Sequence, residues 1–342
     1  KRFKTILKGL FSILFSTIFL IVLEKPLKGK LYLGNKKLNS NTHKPYFQTF
    51  LIDEDCYDMS FSDGYYHQVV LKKCLSKNTI NKQTLYFLGD SHTYSLWQGA
   101  EYIAKQTNSN LFTFSYGANL FPTIKRYRTD NKKIDLNTYQ IMHSFEKKVL
   151  SSFSKGDVVF ITIRWNREFG DNWNRLSTRK FRFFDKNNKV IVRDSAQEHF
   201  QEWLDNLIGF TEYLSAKDVK VIISTPTPEF PQYEGKICRK HSPQWFNKYS
   251  TFDCSFQISK DFFISENGKY FNIIQKLNEV SSNHDNLYLF DAFNVMCPDS
   301  SCRYNLNGKL LYSDSNHISN YSAREILAPE MLKFLKENKI VD

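Results

Sequence analysis

The chain has 342 residues, 41% hydrophobic and 24% charged, a composition that excludes a disordered polymer and is ample for one α/β domain with a substantial core. Lys and Arg exceed Asp and Glu by 47 − 35 = +12, a balance suited to nucleic acid, anionic lipid or acidic glycan. The basic residues are scattered and no helix carries a dense basic face, which argues against a nucleic-acid partner and for a solvated surface.

Lys1-Arg2-Phe3-Lys4 precedes an apolar run from Gly9 to Leu23, which Glu24-Lys25-Pro26 closes. With Thr5 to Leu7 counted and Lys8 able to snorkel, the run approaches the ~20 residues of a membrane span. A cleaved signal peptide would need a small-x-small site after Leu23, and none is present, so residues 1–26 are expected to be an uncleaved transmembrane helix. The basic flank stays inside and sends the remainder outward. Residues 27–46, rich in Lys and Asn, read as a linker, and residues 47–342 as one domain.

Phe47 to Ser76 reads as a lead-in loop stapled by Cys56 and Cys74. From Thr84 a βα alternation sets in. Strands are predicted over Thr84–Leu88, Asn110–Phe114, Val158–Ile163, Val219–Ser224 and Leu287–Phe290. Helices are predicted over Tyr94–Thr107, Tyr139–Ser152, Gln197–Ala216, Tyr270–Ser282 and Tyr321–Glu337. Five strands with intervening helices fit a flavodoxin-like three-layer α/β/α sandwich around a parallel sheet, with sites at the carboxyl ends of the strands. Two longer interruptions, Arg164 to Asp194 and Pro226 to Gly268, are placed to shape an acceptor site. Their Trp165, Trp173, Trp245 and Tyr249 rings suit stacking on sugar faces. Six cysteines allow 15 pairings, but their grouping makes Cys56–Cys74, Cys238–Cys254 and Cys297–Cys302 the simplest set and implies an oxidising compartment. No Cys-x-x-Cys pair supports a metal site.

The chemistry concentrates at two points. Thr84 to Leu88 runs into Gly89-Asp90-Ser91-His92 and then into helix, which puts the Ser91 hydroxyl at the carboxyl end of a strand and the amino end of a helix. A serine hydroxyl needs a neighbouring base, and Asp314-Ser315-Asn316-His317 offers an imidazole with a carboxylate three residues before it. Both positions also suit helix capping, Ser91 at its own helix and Asp314 at the last one; their joint occurrence favours nucleophile, base and orienting acid. Asp90 is expected to brace the turn, and His92 to be a structural or rim residue.

Gly89-Asp90-Ser91-His92 with Asp314-x-x-His317 resembles the first and last signature blocks of the SGNH (GDSL-like) hydrolases. Phe160-Ile161-Thr162-Ile163-Arg164-Trp165, Cys297-Pro298-x-x-x-Cys302 and Leu311-Tyr312-Ser313-Asp314 make the chain most similar to the SGNH domain fused to acyltransferase family 3 membrane proteins, over roughly residues 45 to 340. The resemblance implies an oxyanion hole from the Ser91 amide, the Gly117 amide and a third donor. Asn166 or Arg164 can fill that third place, or the hole holds only two donors, and Arg164-Trp165 is expected to contact substrate. It further implies an O-acetyltransferase that carries acetyl on Ser91 and passes it to a cell-surface polysaccharide such as O-antigen or capsule, without metal or cofactor. The acetyl would come through an associated or fused acyltransferase family 3 membrane domain, with further membrane helices before Lys1. The location implied is the inner membrane, with the catalytic domain in the periplasm or extracytoplasmic space. A carbohydrate O-acetylesterase and an inactive glycan-binding module stand as alternatives.

Overall fold

Short apolar runs bounded by turn residues pair into a central sheet in the computed structural model, which describes residues 2–27, 57–62, 65–70, 83–116, 120–123, 126–128, 143, 146–147, 149–165, 169, 181–184, 190–192, 196–230, 257–266, 268, 270–307 and 309–341. Seven strands, β1 (Tyr57–Ser62), β2 (Tyr65–Val70), β3 (Thr84–Gly89), β4 (Asn110–Tyr116), β5 (Val158–Thr162), β6 (Lys220–Ser224) and β7 (Leu287–Phe290), lie in the order β1-β2-β4-β3-β5-β6-β7. The five from β3 onward are parallel and arranged 2-1-3-4-5, the flavodoxin order, so the switch point falls between β3 and β5. The element that follows β3 therefore opens into the crevice where such sheets bind ligands.

Strand alternation divides the core. Leu85 and Phe87 pack on one face with Val158, Phe160 and Ile222, while Tyr86 and Leu88 pack on the other with Val159, Ile161, Val221 and Ile223. The first face is covered by α3 (Trp97–Gln106) and the C-terminal helices. The second is covered by α4 (Ala196–Ser215), α6 (Phe271–Ser282) and the helical residues at 149–152. Two short helices accompany them: α2 (Ser91–Ser95), which precedes α3, and α5 (Asp261–Ile264), which lies between α4 and α6 in the chain.

Several predicted elements differ from the structure. The lead-in loop holds a hairpin: β1 pairs with β2, and β2 adds antiparallel to β4 through His67↔Tyr116 and Val69↔Phe114. Its cause is legible in the aromatic and β-branched run Tyr65-Tyr66-His67-Gln68-Val69-Val70 after Asp63-Gly64, and in the open edge that β4 would otherwise present. The helix expected over Tyr94–Thr107 starts at Ser91 and is broken at Leu96. After the short α7 (Ala292–Met296), the helix expected over Tyr321–Glu337 is a π-helical turn, Ser322–Leu327, running into α8 (Ala328–Glu337). Pro329 in the first turn of α8 cannot donate to the preceding turn, which widens. The two long interruptions also carry strands, Phe181–Phe184 and Val190–Val192 in the first and Gln257–Ser259 in the second.

Cys297 and Cys302 are disulfide-bonded; Cys56, Cys74, Cys238, Cys254, Trp173, Trp245, Tyr249 and residues 28–46 lie outside the described residues. The N-terminal segment Arg2–Leu27 is one α-helix, α1, of 26 residues, with Leu10, Phe11, Leu14, Phe15 and Phe19 exposed. Among the described residues no helix is long and apolar enough to cross a membrane; the described side chains of α1 are those at 4 and 6–19, short of the ~20 a span needs.

Gly89, the last residue of β3, has φ +155°, and a Cβ there would collide with the Thr162 carbonyl oxygen and the Thr93 hydroxyl. Gly89→Ala is expected to lower the unfolding free energy by on the order of 3 kcal/mol or more, from backbone strain plus steric conflict. Gly156→Ala, at φ +84° with open space around it, is expected to cost about 1 kcal/mol. Urea titrations of the two variants check the ranking.

Candidate active site

The corner after β3 is held by polar groups that the sheet brings together. Asp90 is buried, and its carboxylate accepts from the His92 amide at 2.8 Å and from the Arg164 amide at 2.8 Å. Its carbonyl oxygen accepts from the Ser115 hydroxyl at 2.6 Å. One residue thus ties the ends of β3, β4 and β5, the bracing role expected of it. The Thr93 hydroxyl donates to the Thr162 carbonyl at 2.7 Å, passing beneath Gly89 where no side chain stands in the way. Ser91 is left at the first position of α2, its hydroxyl turned to the terminal loop.

The terminal block is a closed loop. The Ser313 amide donates to the His317 carbonyl at 2.8 Å, Tyr312 and Ile318 form an antiparallel bridge, and the Phe230 amide donates to the Ser315 carbonyl at 2.6 Å. Asp314 Oδ1 accepts from the amides of Asn316 and His317 at 3.0 and 2.8 Å, which fixes the carboxylate within the loop. Ser319, rather than Asp314, caps the following turn, its hydroxyl accepting from the Ser322 amide at 3.2 Å. His317 Nδ1 lies 2.7 Å from Asp314 Oδ2, and His317 Nε2 lies 2.7 Å from Ser91 Oγ, across 226 positions of sequence. With Nδ1–H donating to the carboxylate, Nε2 is the acceptor for the serine proton. Burial alone would raise the Asp314 carboxyl, but the neighbouring His317 charge and the bonds from His317 and Asn316 hold it well below the usual carboxylate range.

His92 is buried, not at a rim. Its Nε2–H donates to Asn316 Oδ1 at 3.2 Å, and its ring lies 4.9 Å from the His317 ring. Burial foremost, and then the charges of His317 and Arg164, hold its pKa well below the ordinary 6.5. His92 is therefore neutral, and it braces the base loop through Asn316.

Arg164 follows β5 and pairs with Glu229, Nε to Oε1 at 3.1 Å and Nη2 to Oε2 at 2.9 Å. Burial would lower its pKa, but Glu229 raises it further. Sequence reasoning missed Glu229, because nothing in its spacing points to the site. Trp165, expected to contact substrate, is 2% exposed and packs edge-on to Trp203 at 5.2 Å, beside Phe169 and Phe200, so its ring belongs to the core. It shares strand parity with the buried Ile161 and Ile163, a signal available in the sequence. Gly117 and Asn166 lie outside the described residues. Among the described residues no group of three or more His, Cys, Asp or Glu side chains is gathered to hold a metal ion.

The family described as SGNH domain (fused to AT3 domains) matches residues 55–332. A search of curated proteins finds no match. Solved structures to which the chain is similar include the periplasmic domain of the Salmonella ser. Paratyphi A lipopolysaccharide acetyltransferase, at 14% identity and TM-score 0.42 over 78% of this chain and 86% of that one. Another is a Bacteroides fragilis protein named as an acylhydrolase, at 16% identity and TM-score 0.38 over 78% of this chain and 91% of that one.

Two outcomes follow from the placement of His92 and Trp165. Below pH 6.5 the unfolded chain protonates His92 before the folded chain does, so this histidine's contribution is full above pH 6.5 and is lost as pH falls toward its depressed folded value. The wild type is expected to lose up to about 1.4 kcal/mol per pH unit below 6.5 from this group, and His92→Gln to lack that component. Urea titrations at pH 7.5 and 5.5 measure it. Trp165→Ala is expected to cost about 3–5 kcal/mol of stability by cavity formation, read as a fall in the urea midpoint.

Proposed function

The chain belongs to the SGNH domains that occur fused to AT3 domains, and from that premise we propose that it is a serine O-acetyltransferase acting on a hydroxyl of an envelope polysaccharide. The observation that carries this reading is the continuous hydrogen-bonded series Ser91 Oγ, His317 Nε2, His317 Nδ1 and Asp314 Oδ2, with both links at 2.7 Å, at the switch point of the sheet. Ser91 Oγ attacks the acetyl carbonyl carbon and its proton passes to His317 Nε2, while the carbonyl π pair moves onto oxygen. The Ser91 and Gly117 amides receive that oxyanion. Collapse expels the donor alkoxide, which takes the proton from His317, and leaves acetyl on Ser91. His317 then removes the proton of the sugar hydroxyl, whose oxygen attacks the acetyl carbon; collapse of this second oxyanion breaks the bond to Ser91 Oγ, which takes the proton back from His317, and acetyl leaves on the sugar. Asp314 keeps the tautomer and stabilises the imidazolium; its lowered pKa keeps it ionised throughout.

In this reading α1 anchors the chain in the inner membrane. Its 26 residues extend about 39 Å at 1.5 Å per residue, against a hydrocarbon core of about 30 Å, and its described apolar side chains are exposed. Residues 27–46 link α1 to the catalytic domain of residues 47–342 in the periplasm or extracytoplasmic space. The Cys297–Cys302 bond suits an oxidising compartment. Acetyl arrives through an AT3 membrane domain, fused or associated.

The test uses the detergent-solubilised full chain with p-nitrophenyl acetate as donor, with and without envelope polysaccharide from a producing strain. Acetyl is expected on the glycan in the wild type and absent in Ser91→Ala, whose urea midpoint is unchanged. Asp314→Asn should lower the rate by about 10³–10⁴ through loss of the tautomer. Acetate release that glycan does not divert would make the protein an esterase, and activity in Ser91→Ala would sink the mechanism.

A further inference from the structure

We propose that Arg164, presented by Glu229, is a third donor to the oxyanion formed on Ser91. The assignment rests on the acyl-transfer reading above and concerns a residue that the Ser91, His317 and Asp314 series does not include.

Register places it. β3 and β5 run parallel with Leu88 opposite Ile161 and Gly89 opposite Thr162, so Ser91 and Arg164 leave neighbouring strands, each two residues past the last pair. The Asp90 carboxylate fastens the two departures together through the amides of His92 and Arg164. Arg164 shares parity with Thr162 and so projects on the face that carries the His317 loop, where its charge is felt by both Asp90 and His92.

Glu229 fixes the orientation. Its carboxylate, 4% exposed, takes Nε and Nη2, the two donors on one edge of the guanidinium. Nη1 makes no hydrogen bond with the described residues, and the side chain keeps 16% of its surface open to solvent. The next residue, Phe230, is bonded to the Ser315 carbonyl, so the carboxylate that aims Arg164 and the loop that carries His317 are referenced to one segment. A buried ion pair is weak as a stabilising device, since apolar residues of similar volume serve as well. What it supplies is a donor at fixed angle whose charge is offset until an anion forms beside it.

In the chemical step Ser91 Oγ bonds to the acetyl carbon, His317 Nε2 takes the Oγ proton, and the displaced π pair resides on oxygen. Nη1–H donates to that oxygen alongside the backbone amides, and the bond is released when the carbonyl re-forms.

The experiment measures p-nitrophenyl acetate turnover by the full chain in detergent for Arg164→Met, Arg164→Gly, Glu229→Gln and, as control, Ser91→Ala. Arg164→Met is expected to lower kcat by about 10²–10³ with KM changed less than about threefold. In Arg164→Gly, added guanidinium chloride below denaturing concentration should restore kcat at least about tenfold, with the urea midpoint of the variant unchanged by the same addition. Glu229→Gln keeps the shape and a neutral acceptor but leaves a buried guanidinium without its counter-charge, and should lower kcat by about tenfold together with the urea midpoint. The assignment is overturned if Arg164→Met keeps kcat within about threefold, if the loss lies in KM alone, or if it tracks a lowered urea midpoint without guanidinium rescue. Wild-type turnover no greater than that of Ser91→Ala would instead remove the parent reading, and this assignment with it.

Discussion

A hydrogen bond of 2.7 Å between Ser91 and His317 joins two segments 226 positions apart, and most of the polar structure around it serves to keep both ends still. On the serine side, Asp90 gathers the ends of three strands, and the Thr93 hydroxyl stitches α2 to the carbonyl at the end of β5. On the histidine side, a five-residue loop closes on itself, and the hydroxyls of Ser319 and Ser322 hang it from the carbonyls of Leu310 and Leu311 at 2.7 and 2.8 Å. Neither end depends on an exposed side chain. In the proposed reaction, fixing the donor and acceptor before substrate arrives removes an entropy cost.

The electrostatics divide labour between two imidazoles with ring centres 4.9 Å apart. Were both to carry charge they would repel, and in the proposed reaction that repulsion would oppose an imidazolium at His317. Burial resolves this by holding His92 neutral, which also leaves its Nε2–H free to serve as a plain donor to Asn316. Asp314 is then the carboxylate bonded directly to the reacting ring. Asp90 lies close by but spends its carboxylate on two backbone amides, which explains how a second acid can sit beside the nucleophile without competing for the base.

The parallel sheet was legible because each of its five strands is a run of at least four residues that one or both faces bury, and Leu287–Phe290 matches its predicted bounds. The corner was legible because Gly89 must accept a conformation and a close approach that side chains refuse. What escaped were features decided by tertiary contact. The β1–β2 hairpin exists because the edge of β4 accepts it. Trp165 follows the parity of Ile161 and Ile163 into the core while Arg164 follows that of Thr162, a distinction lost when Arg164-Trp165 is read as one unit. Glu229 carries no local signal: it is an acid in an interruption, and its importance lies in what β5 places opposite it.

The distance between Ser91 and His317 is set by the core as much as by their own side chains. Ser91 leads through α2 into α3, and His317 leads through the π-helical turn into α8. These two following helices lie on the same face of the sheet and meet at Gly99, where a Cβ would stand 2.5 Å from the Ala323 carbonyl oxygen. Ala100, Ile103, Leu327 and Ala328 fill the contact on either side. Any side chain at position 99 would push α3 from the turn that follows His317, and the displacement would reach the triad through two short segments with little slack. The widened turn before Pro329 serves the same approach, since it brings the Ala323 carbonyl toward α3 while Ser322 keeps its bond to the strand-like segment at Leu311. The spacing of Ser91 and His317 is thus set by backbone-to-backbone packing as well as by the two side chains.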